Sequence, residues 1–284
     1  MEKIAILTDT GSDISKSLAE KFGIYLMSFY LNSNGNYRKE VDINHEEFYK
    51  ELGEMESFPK TSIPSPGELI EKFNQIKKDG YNKLLVITIS DKLSSFNNLC
   101  NSLSYVPGLD IKVINSKNVA LGSGMLALYA SELLKENIEF DELVEKIEGL
   151  IHKSKVFFSV NTLKYLKAGG RIGRISASLG EALSIKPIIT CDTEDGQYVV
   201  LKKIRGKKKQ LSHLISMIKD ILKDKKKYYI VVSRGENVSG FDRLKEELSE
   251  EIENAEKFIT TTLTPTLAAN TGPGLIGVGF LDLD

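Results

Sequence analysis

Short apolar runs alternate with polar loops and helical repeats through the first half of this chain, and no other feature narrows the fold as much. Ile4 to Leu7, Ile24 to Leu31, Leu84 to Ile89 and Ile111 to Ile114 are apolar-rich runs bounded by polar residues. Runs of that kind are strands buried on both faces, as a parallel sheet requires. Between them, Ser15 to Phe22, Glu46 to Leu52, Gly67 to Lys78 and Gly124 to Leu134 read as helices, the last amphipathic. In the third, Leu69, Ile70, Phe73 and Ile76 fall at helical spacing. The alternation predicts an α/β fold: a mostly parallel sheet with helices on both faces. Asn32 to Arg38 reads as loop. Pro59 to Pro66 reads as rigid loop, because its prolines fix φ and remove donors.

The pattern changes after a helix over Glu139 to Ile151. Val156 to Val160 and Ile185 to Ile189 read as strands, and Gly196 marks a turn into Tyr198 to Leu201, a hairpin signal. Asn161 to Leu166 and Ser178 to Ser184 are short helices. Helix Gln210 to Leu222, strand Tyr228 to Val232, helix Phe241 to Ile252 and strand Phe258 to Leu263 complete the series. Hairpins among helices predict a second domain of α+β type. At 284 residues two domains are expected, over 1–153 and 154–284.

Charge and cysteine usage remove several classes of function. Basic and acidic residues number 38 and 39, without the clustered basic surface that nucleic acid requires. One local run, Lys202, Lys203, Arg205, Lys207, Lys208 and Lys209, reads as a solvated approach to a helix or as a docking surface for an acidic partner. Cys100 and Cys191 stand far apart, so reduced thiols in a cytoplasmic protein are expected rather than a disulfide framework. No stretch approaches the roughly 20 apolar residues that span a bilayer, so stable membrane insertion is not expected.

A catalytic set is not visible. His45, His152 and His213 show no metal-ligand spacing, no Cys–His pairing follows a nucleophile pattern, and the phosphate-loop and dinucleotide fingerprints are missing. No metal, no cofactor and no enzymatic activity are expected. What the sequence does offer is hydroxyl-rich loops at the ends of strands, where open α/β sheets bind ligands. These are Thr8 to Asp13, Lys60 to Pro64, Ser90 to Ser95 and Asn115-Ser116. Their hydroxyls and N–H groups suit a carboxylate, and they also serve as caps of the helices that follow. In the second half, Arg171 stands between Gly169-Gly170 and Gly173. It offers forked donors for a carboxylate or phosphate, or an ion pair with a neighbouring acid. A rival reading makes Asp9 and Asp13 metal ligands of a small-molecule phosphotransferase or hydrolase, although two carboxylates on a turn more often satisfy the loop itself.

Taken in order, these loops resemble the DegV family of bacterial fatty-acid-binding proteins. The matching stretches are Thr8 to Asp13, Lys60-Thr61-Ser62-Ile63-Pro64-Ser65-Pro66, Leu93-Ser94, Asn115-Ser116 with Gly122-Ser123-Gly124, Leu163 to Ile172, Ser184 to Ile189 and Thr271-Gly272-Pro273-Gly274. The resemblance runs over nearly the whole chain. It implies one long-chain fatty acid held in a tunnel between the two domains. The carboxylate would meet Thr61 and Ser94, with Ser62, Gly170, Arg171 and Asn270 near it. Some members of the family are binding subunits that present the carboxylate to a separate fatty acid kinase subunit; a regulatory protein whose lipid is only a signal is an alternative reading. Two departures stand out. The family's Leu-Ser-Gly-Thr-Tyr is here Leu93-Ser94-Ser95-Phe96-Asn97, and its His before Thr-Gly-Pro-Gly is here Asn270, which cannot titrate near neutral pH.

Overall fold

The computed structural model describes residues 2–33, 35–55, 57–179, 185–236 and 238–284. Strands β1 (Ile4–Asp9), β2 (Ile24–Met27), β3 (Tyr30–Ser33), β4 (Asn36–Lys39), β5 (Lys60–Ser62), β6 (Lys83–Thr88) and β7 (Asp110–Asn115) lie in the first half. Between them run α1 (Lys16–Phe22), α2 (His45–Glu54), α3 (Pro66–Lys78) and α4 (Phe96–Ser102), followed by α5 (Leu121–Leu133) and α6 (Phe140–Gly149). The second half holds β8 (Ser154–Ser159), α7 (Lys164–Ala168), α8 (Gly173–Leu179), β9 (Ile185–Cys191), β10 (Tyr198–Arg205) and α9 (Lys207–Leu222). It continues through β11 (Tyr228–Arg234), α10 (Phe241–Glu247), α11 (Ser249–Glu253), β12 (Lys257–Thr262), α12 (Pro265–Thr271) and β13 (Ile276–Asp282).

The first sheet has the order β2-β1-β6-β7 with every pair parallel, as the apolar runs required. The second is a six-stranded mixed sheet, β10-β9-β8-β13-β11-β12, in which β11 and β12 pair parallel and the other neighbours antiparallel. A three-stranded antiparallel sheet, β4-β3-β5, stands apart from both. The fold is α/β with a second α+β portion, as the alternation implied.

α5 joins the two halves. Eleven of its thirteen residues are buried. It packs on β1 and β6 of one sheet and on β8 and β13 of the other. Ile6, Ile87, Met125, Leu128, Val231 and Leu281 accordingly belong to one apolar cluster drawn from both halves. A helix covered on both faces has no polar stripe, which corrects the amphipathic reading of Gly124 to Leu134.

Other expectations also give way. Ile24 to Leu31 is not one strand: the chain bends at Ser28-Phe29, where the Phe29 N–H turns to Thr10 Oγ1 at 3.0 Å, and β3 leaves for the small sheet. Asn32 to Arg38, read as loop, is largely the β3–β4 hairpin, and the proline-bounded segment contains β5. Proline at the ends of a short edge strand costs no ladder bond, which is why the prolines concealed it. Lys202, Lys203 and Arg205 lie on β10 rather than on a helix approach. Phe241 to Ile252 divides into α10 and α11. α8 spans Gly173–Leu179, and most of the short helix expected over Ser178 to Ser184 falls on residues 180–184, outside the described residues. Two elements, α12 and β13, were not anticipated at all.

Candidate functional site

Three of the four hydroxyl-rich loops reach one cavity of about 230 Å³ at the carboxyl ends of β1 and β6. Gly11 comes from the loop after β1, Thr61 to Ile63 from β5 and its exit, and Leu93 to Ser95 from the loop after β6. The fourth pair, Asn115-Ser116, does not line it, but Val119 a few residues on does. Arg171, Tyr198 and the α12 residues Thr266, Leu267, Asn270 and Thr271 close it from the second half.

Thr61 is placed by pairing of β5 with β3, opposite Leu31. Its Oγ1 accepts a hydrogen bond from Asn270 Nδ2 at 3.3 Å, and the same amide donates to the Thr266 carbonyl at 2.8 Å. Asn270 lies close over Gly169: a Cβ there would stand 2.5 Å from Asn270 Oδ1, so only glycine permits the approach. Ser94 is buried, and its Oγ accepts from the Phe96 N–H at 3.3 Å. The departures from the family at Phe96 and Asn97 have defined places. Phe96 is wholly buried edge-on to Phe29, and Asn97 Nδ2 donates to Thr88 Oγ1 at 2.9 Å.

Arg171 reaches across from the second half. Its Nε donates to the Leu93 carbonyl at 3.2 Å, next to Ser94, and its Nη1 donates to the Gly169 carbonyl. Among the described residues it makes no ion pair, and it is the only charged side chain lining the cavity. Gly170 adopts φ +73°, turning the chain between α7 and Arg171, and does not itself line the cavity. The structure thus brings Thr61, Ser62, Ser94, Arg171 and Asn270 to one space, with Gly170 behind them.

An apolar cavity of about 40 Å³ adjoins this space and shares Val119, Tyr198, Leu267 and Thr271 with it. Val156, Phe158, Leu263 and Leu275 line its farther part. Tyr198 sits at the junction, edge-on to Phe158; burial pushes its phenol pKa upward, against the pull of Arg171, so the hydroxyl stays protonated. Sequence reasoning missed Tyr198, which reads as an ordinary strand residue, and Thr266, which lies on the unanticipated α12. The Thr264-Pro265 pair is a signature of a helix start and could have revealed that helix.

Asp9 and Asp13 do not line the cavity. Asp9 is fully buried, its oxygens accepting from Gly11 N–H at 2.9 Å and Ile89 N–H at 3.0 Å. Asp13 Oδ1 accepts from Thr264 N–H at 2.8 Å. Burial pushes their pKa values up, to about 7 for Asp9 and about 8 for Asp13. Both serve backbone N–H groups, Asp9 in the adjoining loops and Asp13 at the start of α12, and no group of three or more metal-ligating side chains occurs among the described residues. Both cysteines are free and buried. No helix among the described residues is long and apolar enough to cross a membrane.

The family model described as uncharacterised protein, DegV family, matches residues 3–283. The chain belongs to the DegV family. A DegV domain-containing protein of Clostridium acetobutylicum is 35% identical over 287 residues, covering 99% of this chain and all of the relative. Among solved structures, the fatty acid binding DegV family protein of Streptococcus agalactiae superposes with a TM-score of 0.89 at 28% identity, covering 100% of both chains. A DegV family protein of Thermus thermophilus, also described by its fatty acid binding, gives a TM-score of 0.90 at 28% identity, covering 99% of this chain and 100% of its own.

Proposed function

We propose that this DegV protein binds a long-chain fatty acid, its carboxylate between Thr61 and Ser94 and its tail in the apolar cavity, between domains formed by residues 1–153 and 154–284. The observation that carries the reading is the junction of the two cavities: among the described residues one holds hydroxyls and the cation Arg171, the other is lined mainly by apolar side chains, and they share Tyr198 and Leu267. The two hydroxyls are set up as donors. Thr61 Oγ1 already accepts from Asn270 and Ser94 Oγ from Phe96, which leaves each hydroxyl hydrogen for an anionic oxygen. Arg171 has five N–H donors, two of them used on carbonyls, and supplies the opposite charge. A buried carboxylate needs this density of donors, because an unpaired one is costly.

The tail supplies affinity. About 14 methylenes at roughly 0.8 kcal/mol each contribute on the order of 11 kcal/mol, against association costs of about 4–15 kcal/mol. At about 40 Å³ the apolar cavity exceeds the space of a single water by little, so the side chains of Leu263, Leu267 and Leu275 must move aside as the tail enters. No residue here titrates in place of the family's His, since Asn270 is neutral.

Denaturing extraction of protein purified from a bacterial host, followed by mass spectrometry, is expected to yield one fatty acid per chain. Replacing Thr61 and Ser94 together with Ala is expected to weaken palmitate binding by about 2–4 kcal/mol, from roughly 1–2 kcal/mol per bond to a charged group, with the fold retained. Absence of any extracted or acquired fatty acid would overturn the reading; unaltered affinity in the double variant would move the head group elsewhere.

A further inference from the structure

α12 has no side-chain cap of its own, for Thr264 makes no cap bond to the first turn. Carboxylates from distant segments meet that turn instead. Thr264 N–H donates to Asp13 Oδ1 at 2.8 Å. Thr266 N–H donates to Glu40 Oε1 at 2.8 Å, and Thr266 Oγ1 donates to Glu40 Oε2 at 2.6 Å. Glu40 is 2% exposed, and both its oxygens accept hydrogen bonds from Thr266 of α12. A buried carboxylate so placed would be expensive if its partner moved, so Thr266 is held firmly.

The consequence appears one turn along. The Thr266 carbonyl accepts from Asn270 Nδ2, and that amide in turn meets Thr61 Oγ1. A continuous bonded path therefore runs from Glu40 through Thr266 and Asn270 to Thr61, joining a buried acid to the wall of the cavity. Thr266 and Leu267 line the cavity on the same turn.

We propose that Glu40 is a positioning residue for the head-group site: by anchoring Thr266 it orients Asn270, which occupies the acceptor side of the Thr61 hydroxyl and turns its hydrogen toward the ligand. This rests on reading the cavity as the fatty-acid head-group site. Glu40 does not itself line the cavity. Asp13 accepts from the Thr264 N–H through its own carboxyl, a bond that remains when Glu40 is changed.

The test compares palmitate affinity, thermal midpoint and the side-chain amide NMR resonances of Asn270 in wild type, Glu40→Ala, Glu40→Gln and Thr266→Val. Glu40→Ala is expected to weaken palmitate binding by about tenfold, the effect of losing buried hydrogen bonds, and to shift the Asn270 resonances. Glu40→Gln keeps an acceptor for Thr266 N–H, and is expected to restore most of the affinity and the resonance positions. Should Glu40→Ala fail to fold, Thr266→Val, which removes one bond only, is expected to show a smaller change of the same kind. Wild-type affinity in folded Glu40→Ala or Thr266→Val, or lost stability with unmoved Asn270 resonances, overturns the inference. The Thr61→Ala, Ser94→Ala double variant separates the two levels. If it binds weakly while the Glu40 and Thr266 variants bind normally, only the positioning role falls; if it binds normally, the head-group reading falls and this role with it.

Discussion

Asp13 adopts φ +61°, with one carboxylate oxygen on the Thr264 N–H and the other buried without a hydrogen-bond partner. The partnerless oxygen is where a proton is most easily held, in keeping with a pKa raised by burial to about 8. A carboxyl whose folded pKa lies above its unfolded value of 3.8 stabilises the fold fully below that value, and the contribution is lost as pH rises through about 8. Asp9, raised to about 7, acts in the same direction. The thermal midpoint is therefore expected to fall as pH is raised from 5 to 9. Asp13→Asn mimics the protonated carboxyl and suits positive φ, so it is expected to flatten the profile and exceed wild type at pH 9. A steeper decline in the variant than in wild type would refute this. Nothing in the linear sequence separates these two aspartates from metal ligands; their burial and backbone partners do. By contrast Thr61, Ser94 and Arg171 were legible as candidates from residue type and order.

At the scale of elements, the parallel strands β1 and β6 were readable because burial on both faces leaves unbroken apolar runs. β13 was not, although it lies inside the six-stranded sheet, because Gly277 and Gly279 interrupt Ile276–Asp282 and mimic a loop. α12 was missed because seven residues give too few turns for periodicity to register. α5 was found as a helix but misread as amphipathic, since the identity of what covers each face is not written in the helix itself. Its burial makes a definite prediction. Leu128→Ala removes a fully buried side chain between the two sheets and is expected to cost about 2–5 kcal/mol of unfolding free energy. Chemical denaturation checks it: a change below 1 kcal/mol would mean that the helix is not the shared core described.

For the whole molecule, the candidate cavity draws its walls from both halves, so its occupant should stabilise the chain as a unit. A ligand present at 100 times its dissociation constant adds about 2.7 kcal/mol to a protein that binds it only when folded. Delipidated protein is thus expected to show a single unfolding transition that moves to higher temperature as palmitate is added, and no shift with saturating palmitate would count against binding. Sequence alone determined the α/β class, the central strands β1 and β6 and the loops that carry hydroxyls, because each rests on local periodicity or on residue chemistry. Only the tertiary structure decided that Thr61 meets Asn270 from 209 residues away, that Glu40 holds Thr266 from 226 residues away, and that Tyr198 stands where a polar cavity becomes an apolar one. Those relations depend on how sheets and helices stack, and stacking is set by complementary shape across the core, which periodicity along the chain does not record.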